Sequence, residues 1–258
     1  MNSIPDSNKP LAGRTALVTG SGRNLGRGMA LGFARAGANV VLNGHSDEAA
    51  LKAVAAEVAD AGTEAMTVLA DVSKPDEVQK MVDSAVQRFG SVDIAVSNVG
   101  IRLRQAFLDI SVEDWRTIIE TNLSSAFYLA RAVLPHMKTQ GWGRIIHISG
   151  RDGFFTLSHR AHNVTCKAGL HSLAKAIALE FGEFGITANT IAPGRMDTTR
   201  DVTHYPGFEA EWAEQTKSTP VRRLGLAEDV AEACLYFACG GAYVTGHLLH
   251  LNGGDWMY

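Results

Sequence analysis

The chain has 258 residues, 46% hydrophobic and 20% charged, enough apolar material to fill the core of one α/β domain. A net charge of −3 without any dense Lys/Arg cluster argues against a nucleic-acid partner, and no apolar run is long enough to cross a membrane. Cys166, Cys234 and Cys239 are odd in number and lack metal-ligand spacing, so free thiols in a reducing, cytoplasmic setting are expected rather than a disulfide framework or a metal site.

Residues 1–10 are polar, lack the apolar segment of a secretion signal, and read as a flexible leader to a domain over 11–258. Hydrophobic periodicity then predicts strands at Thr15–Val18, Asn39–Leu42, Ala65–Leu69, Asp93–Val96, Arg144–Ile148, Thr187–Ile191 and His247–Leu251. Helices are predicted between them, at Leu25–Ala36, Glu48–Ala61, Asp76–Phe89, Val112–Lys138, Val164–Phe181 and Glu228–Ala238. Ser73 and Ser111 are the expected N-caps of the third and fourth helices, and Gly37, Gly62, Gly90 and Gly141 mark helix ends. Strands alternating with helices in this way predict a parallel sheet covered on both faces. The irregular stretch Arg195–Pro220, with Tyr205, Pro206, Gly207 and Trp212, follows the sixth strand and is placed to close over a substrate.

The most informative segment is Thr19-Gly20-Ser21-Gly22-Arg23-Asn24-Leu25-Gly26, which leaves the first strand and opens the first helix. Gly20 and Gly26 keep side chains away, so backbone amides of the first helical turn can face a dinucleotide pyrophosphate. This segment resembles the TGxxxGxG loop of the short-chain dehydrogenase/reductase family, with Asn24 where the middle glycine is usual; asparagine tolerates the left-handed backbone that a glycine there serves. The resemblance runs nearly end to end. Asp71-Val72 is similar to the adenine-contacting pair, Ser97-Asn98-Val99-Gly100 to the NNAG segment, Pro193-Gly194 with Thr198 to the PGxxxT segment that meets the nicotinamide carboxamide, and Lys167 to the lysine of YxxxK. Asn122 matches the helix asparagine that supports a proton-relay water. The resemblance implies a single doubly wound Rossmann-type domain of class α/β, with a seven-stranded parallel sheet, helices on both faces, and assembly as a homotetramer.

Two positions depart from the family pattern. Asn163 stands four residues before Lys167, where the tyrosine acid belongs, and Gly150 stands where the serine belongs. Ser149 could replace that serine only by a one-residue slip along its strand, which would turn its side chain to the opposite face. A phenol of pKa about 10 can protonate an alkoxide and an amide cannot, although Asn163 keeps N–H donors that can polarise a carbonyl. Losing a general acid slows such a reaction by about 10²- to 10⁴-fold without forbidding it. The smaller side chain also frees a ring-sized space for a water linked to Lys167 and Asn122. His162, His159, His204 and Tyr205 are alternative acids; His162 lies about 100° around the helix from Asn163 and His159 needs an earlier helix start. Cys166 reads as a packed thiol.

The second strand ends in Leu42-Asn43-Gly44-His45-Ser46, with no carboxylate to hold a ribose 2′-hydroxyl. With Arg23, His45 and Ser46 nearby, NADP is expected over NAD. Arg102 and Arg104, and Arg151 and Asp152, follow the fourth and fifth strands, where they either meet an anionic or polyhydroxylated substrate or are solvated. The expected activity is an NADP-dependent oxidoreductase acting on an alcohol/carbonyl pair of a small-molecule substrate. The alternatives are a cofactor-loaded lyase or hydratase, with Lys167 or a histidine as base, and an NADP-binding sensor without turnover.

Overall fold

Seven short apolar runs lie side by side as β1 (Thr15–Val18), β2 (Asn39–Gly44), β3 (Ala65–Leu69), β4 (Ile94–Ser97), β5 (Gly143–Ile148), β6 (Ile186–Pro193) and β7 (Leu248–Leu251) in the computed structural model, which describes residues 9–156, 158–199, 214 and 216–257. The strand order is β3-β2-β1-β4-β5-β6-β7 and every pair is parallel. Around them pack α1 (Asn24–Arg35), α2 (Glu48–Asp60), α3 (Pro75–Phe89), α4 (Val112–Ile119), α5 (Ser125–Gln140), α6 (Ala161–Phe181) and α7 (Ala227–Leu235).

Side chains alternate across a strand, so each central strand feeds two cores. Ala16 and Val18 of β1 join Met29, Phe33, Val230 and Phe237 on one face, while Leu17 joins Val78, Met81, Leu129 and Val133 on the other. Burying a residue such as Phe33 or Leu17, both fully inaccessible, contributes about 1.5–3 kcal/mol. Val18 is in register with Leu42 on one side and Val96 on the other, so the strand ends are level where the order reverses between β1 and β4. Such a reversal opens the crevice in which open α/β sheets bind ligands.

The structure corrects several predicted boundaries. The single predicted helix Val112–Lys138 is interrupted by a π-helical turn over Glu120–Ser124 and continues to Gln140, and a second π turn, Tyr236–Gly240, follows α7. The sixth helix starts at Ala161 rather than Val164, which brings His162 and Asn163 inside it. Ser111 caps α4, its hydroxyl accepting the Asp114 N–H at 2.9 Å. Ser73 does not cap α3: its N–H and hydroxyl both donate to the Asp71 carboxylate, and the helix begins on Lys74 and Pro75, whose fixed φ suits a first turn. Of the stretch Arg195–Pro220, residues 200–213 and 215, including His204, Tyr205, Pro206, Gly207 and Trp212, lie outside the described residues. Its first part is anchored, because Gly225 N–H donates to the Arg195 carbonyl at 2.9 Å and Asp197 N–H to the Gly225 carbonyl at 2.7 Å.

Candidate active site

The loop after β1 is shaped by backbone close approach. A Cβ on Gly26 would stand 2.1 Å from the Gly20 carbonyl oxygen and 2.9 Å from Asn98 Nδ2, so only glycine lets α1 begin against the loop. Asn24 takes φ +50, the left-handed conformation expected of it. Arg23, the N-cap of α1, makes no side-chain cap bond, and the first turn holds no acidic residue. The orphan N–H donors at this 12-residue helix's start, with the positive end of its dipole, therefore suit an anion. A dinucleotide pyrophosphate fits that cradle.

Neighbouring strands hold the loop in place. Asn98, just beyond β4, donates from Nδ2 to the Thr19 and Gly20 carbonyls at 3.0 and 3.2 Å, and its own N–H donates to Thr19 Oγ1 at 2.9 Å. Sequence reasoning missed the part played by Asn43. That side chain is buried, accepts the Gly20 N–H at 3.3 Å and donates to the Ala70 carbonyl at 3.1 Å, linking β2, β3 and the glycine loop. The available signal was an amide at the end of the otherwise apolar run Val40-Val41-Leu42. Arg23, His45 and Ser46 are exposed around this end of the sheet, and Val72 is buried. Burial pushes the Asp71 carboxyl upward, but the two bonds from Ser73 and the nearby His45 outweigh it and leave its pKa lowered.

On the other side of the switch point, α4–α5 and α6 bring three predicted residues together. Asn122 sits in the π turn, buried, and grips the backbone of Ile101: its Oδ1 accepts the N–H and its Nδ2 donates to the carbonyl, both at 2.8 Å. The wide turn inserts an extra residue into the helix, as π-bulges at functional sites commonly do, and points this amide at the loop following β4. Its Nδ2 also reaches Asn163 Oδ1 at 3.4 Å. One helical turn on, Lys167 is buried and donates from Nζ to the Ile148 carbonyl at 3.0 Å. A Cβ on Gly100 would stand 3.5 Å from that Nζ and 3.7 Å from Asn122 Oδ1, so Gly100, Lys167 and Asn122 border one small space. Burial and then the charge of Arg102 lower the Lys167 ammonium from 10.5 to about 8.

The remaining candidates fall elsewhere. His162 is buried with both ring nitrogens engaged: Nδ1 accepts the Asn163 N–H at 2.7 Å, which leaves Nε2 to donate to Gln105 Oε1 at 3.3 Å. Burial lowers its pKa despite nearby Asp114. His159 precedes the helix, exposed, with a left-handed φ of +63. Ser149 faces away, its hydroxyl donating to the Lys167 carbonyl at 2.7 Å, whereas nothing lies within 4 Å of a Cβ built on Gly150. Cys166 is a packed thiol against the Ile118 carbonyl, pushed up to about 11 by burial. Arg151 and Asp152 are half-buried and each is paired with a charge within the chain. Arg151 pairs with Asp255, which also accepts Arg195 at 2.8 Å, and Asp152 accepts Arg160 at 2.7 Å. Pro193 ends β6, and Gly194 N–H donates to the Leu251 carbonyl at 2.9 Å, which carries the chain on to a half-buried Thr198. Among the described residues no group of His, Cys, Asp and Glu is arranged to hold a metal, and no helix is long and apolar enough to cross a membrane.

Residues 20–255 match the family profile described as Enoyl-(Acyl carrier protein) reductase. The chain is 36% identical to the D-beta-hydroxybutyrate dehydrogenase of Rhizobium meliloti (strain 1021), over 93% of this chain and 98% of that protein. It is 34% identical to the 3-oxoacyl-[acyl-carrier-protein] reductase FabG of Staphylococcus epidermidis, over 95% and 99%. A crystal structure from Sinorhizobium meliloti 1021, provisionally named a short-chain alcohol dehydrogenase, superposes with a TM-score of 0.88 at 29% identity, covering 95% of this chain and 97% of that one. With a glycine loop at the switch point, a buried lysine across the crevice from it, and dehydrogenases and reductases matching almost its whole length, the chain belongs to the short-chain dehydrogenase/reductase family.

Proposed function

We propose that the protein is an NADP-dependent oxidoreductase that interconverts an alcohol and a carbonyl on a small molecule, using Asn163 and Gly150 in place of the family's tyrosine and serine. The observation that carries this reading is Lys167, a buried ammonium beside Asn163 and Asn122 at the same strand ends as the glycine loop. Gly20, Arg23, Asn24, Leu25 and Gly26 would surround the pyrophosphate, Asp71 and Val72 the adenine, and Asn98, Val99 and Gly100 the middle of the coenzyme. Pro193, Gly194 and Thr198 would meet the carboxamide, and Lys167 the nicotinamide ribose. A bound nicotinamide donates or accepts the hydride.

The chain's own residues then handle the oxygen and its proton. Asn163 donates an amide N–H to the substrate oxygen and so stabilises charge developing there. Lys167 commits one of its three N–H bonds to Ile148, and with a pKa of about 8 it is a capable proton source near neutrality. Asn122 holds the loop that borders this space, through which a water can pass the proton. His162, with both nitrogens engaged, positions the start of α6 and the Asn163 backbone within it.

The NADP preference is supported by the end of β2. Gly44 offers no carboxylate there, and the Asn43 side chain is turned into the glycine loop, which leaves exposed Arg23, His45 and Ser46 to meet a 2′-phosphate. A homotetramer in the cytoplasm completes the proposal. Exposed Phe107, Leu108, Trp115 and Phe127 on the α4–α5 side, and Met257 near the carboxyl end, support two subunit contacts. Nicotinamide absorbance followed across a panel of carbonyls and alcohols tests the redox assignment. Slow, NADPH-consuming turnover is expected, and tight coenzyme binding with no turnover across the panel would favour a sensor instead.

A further inference from the structure

The loop that cradles the pyrophosphate is tied directly to the segment beyond β6. Asn24 Oδ1 accepts the Thr199 N–H at 3.0 Å while its Nδ2 donates to the Thr199 carbonyl at 3.2 Å, a reciprocal pair between residues 175 positions apart. A single amide thus satisfies one residue's backbone in the way a strand partner would. Arg195, at the other end of this short segment, is tied to Asp255, and Met196 is bridged to Gly225. Thr198 lies between these ties, half-buried.

We propose that Asn24 is a positioning residue for the nicotinamide half of the coenzyme, acting through Thr199 to hold Thr198 at the crevice. The proposal rests on the coenzyme reading above. The left-handed backbone at position 24 favours glycine or asparagine, and of the two only asparagine adds a side chain, which makes both bonds. Asn24 therefore couples the phosphate loop to the carboxamide segment, so that holding one restrains the other.

Asn24→Gly tests this cleanly, since glycine accepts the φ of +50 without strain and removes both bonds. Affinity is measured by fluorescence titration for NADPH and for 2′-phospho-ADP-ribose, which carries the adenosine, 2′-phosphate and pyrophosphate but no nicotinamide. Two exposed hydrogen bonds predict about five- to tenfold weaker NADPH binding and, because glycine keeps the backbone N–H at the pyrophosphate, a clearly smaller loss for the fragment. Equal weakening of both ligands would overturn the proposal, because the change would then lie in the phosphate loop. Unchanged or tighter NADPH binding would overturn it as well. If the unmodified protein binds neither ligand, the coenzyme reading itself fails, a result distinct from these.

Discussion

Replacing Lys167 by methionine should abolish turnover and yet make the protein more stable at neutral pH. Burial lowers this lysine from 10.5 to about 8, so below pH 8 the folded protein holds a charge it would rather shed. At 1.36 kcal/mol per tenfold change in the proton equilibrium, that penalty is about 3 kcal/mol. Methionine matches the length of the stem and carries no charge, and only the Nζ bond to the Ile148 carbonyl is lost. A net gain of about 1–3 kcal/mol is expected, or about 2–10 °C in Tm for a chain of this size. The sign with pH follows from linkage. Between pH 8 and 10.5 the unfolded chain binds the lysine proton and the folded chain does not, so the stability of the natural protein rises through that window and the advantage of the variant shrinks. Thermal unfolding of both proteins at pH 7 and pH 10.5 measures this. A variant less stable at pH 7, or a difference in Tm that does not change with pH, would refute the argument that the ammonium is held at the cost of stability.

Two further outcomes follow from the site. Asn163→Tyr combined with Gly150→Ser should raise ordinary carbonyl reduction by about 10²- to 10⁴-fold, since a phenol again stands one turn before Lys167 and a Cβ at 150 meets nothing within 4 Å; steady-state rates that fall instead would mean the asparagine serves a substrate of its own. Gly26→Ala should weaken coenzyme binding by about tenfold or more, because its Cβ would lie 2.1 Å from the Gly20 oxygen and the loop must open. Direct binding measurements on the folded variant would contradict this if affinity were unchanged.

Much of the fold was legible because strand and helix periods are local. The apolar runs, the glycines closing α3 and α5, and the left-handed Asn24 all follow from nearby residues. The candidate site was legible in identity and less so in arrangement. The π turn at Asn122 was hidden because a one-residue insertion leaves helical periodicity nearly intact over the stretch predicted as Val112–Lys138. The start of α6 was set too late, since His162 satisfies the Asn163 N–H from within the helix, a bond for which the usual capping residues give no cue. The pairing of Arg151 and Asp152 was not legible, because Asp255 and Arg160, their partners, are supplied by other parts of the chain. Asn43 likewise acts across strands, between the glycine loop and β3, and tertiary pairing of that kind has no signature in a linear pattern.

On the proposed function, the cradle between Gly20 and Gly26 holds a nicotinamide coenzyme, phosphorylated in preference to unphosphorylated. Isothermal titration calorimetry of the unmodified protein with NADPH and, separately, NADH tests it most directly. Saturable binding of both is predicted, with NADPH about tenfold or more the tighter, the worth of one charge-assisted contact to the 2′-phosphate. No heat of binding with either coenzyme would contradict the account, and tighter binding of NADH would contradict its assignment of Arg23, His45 and Ser46.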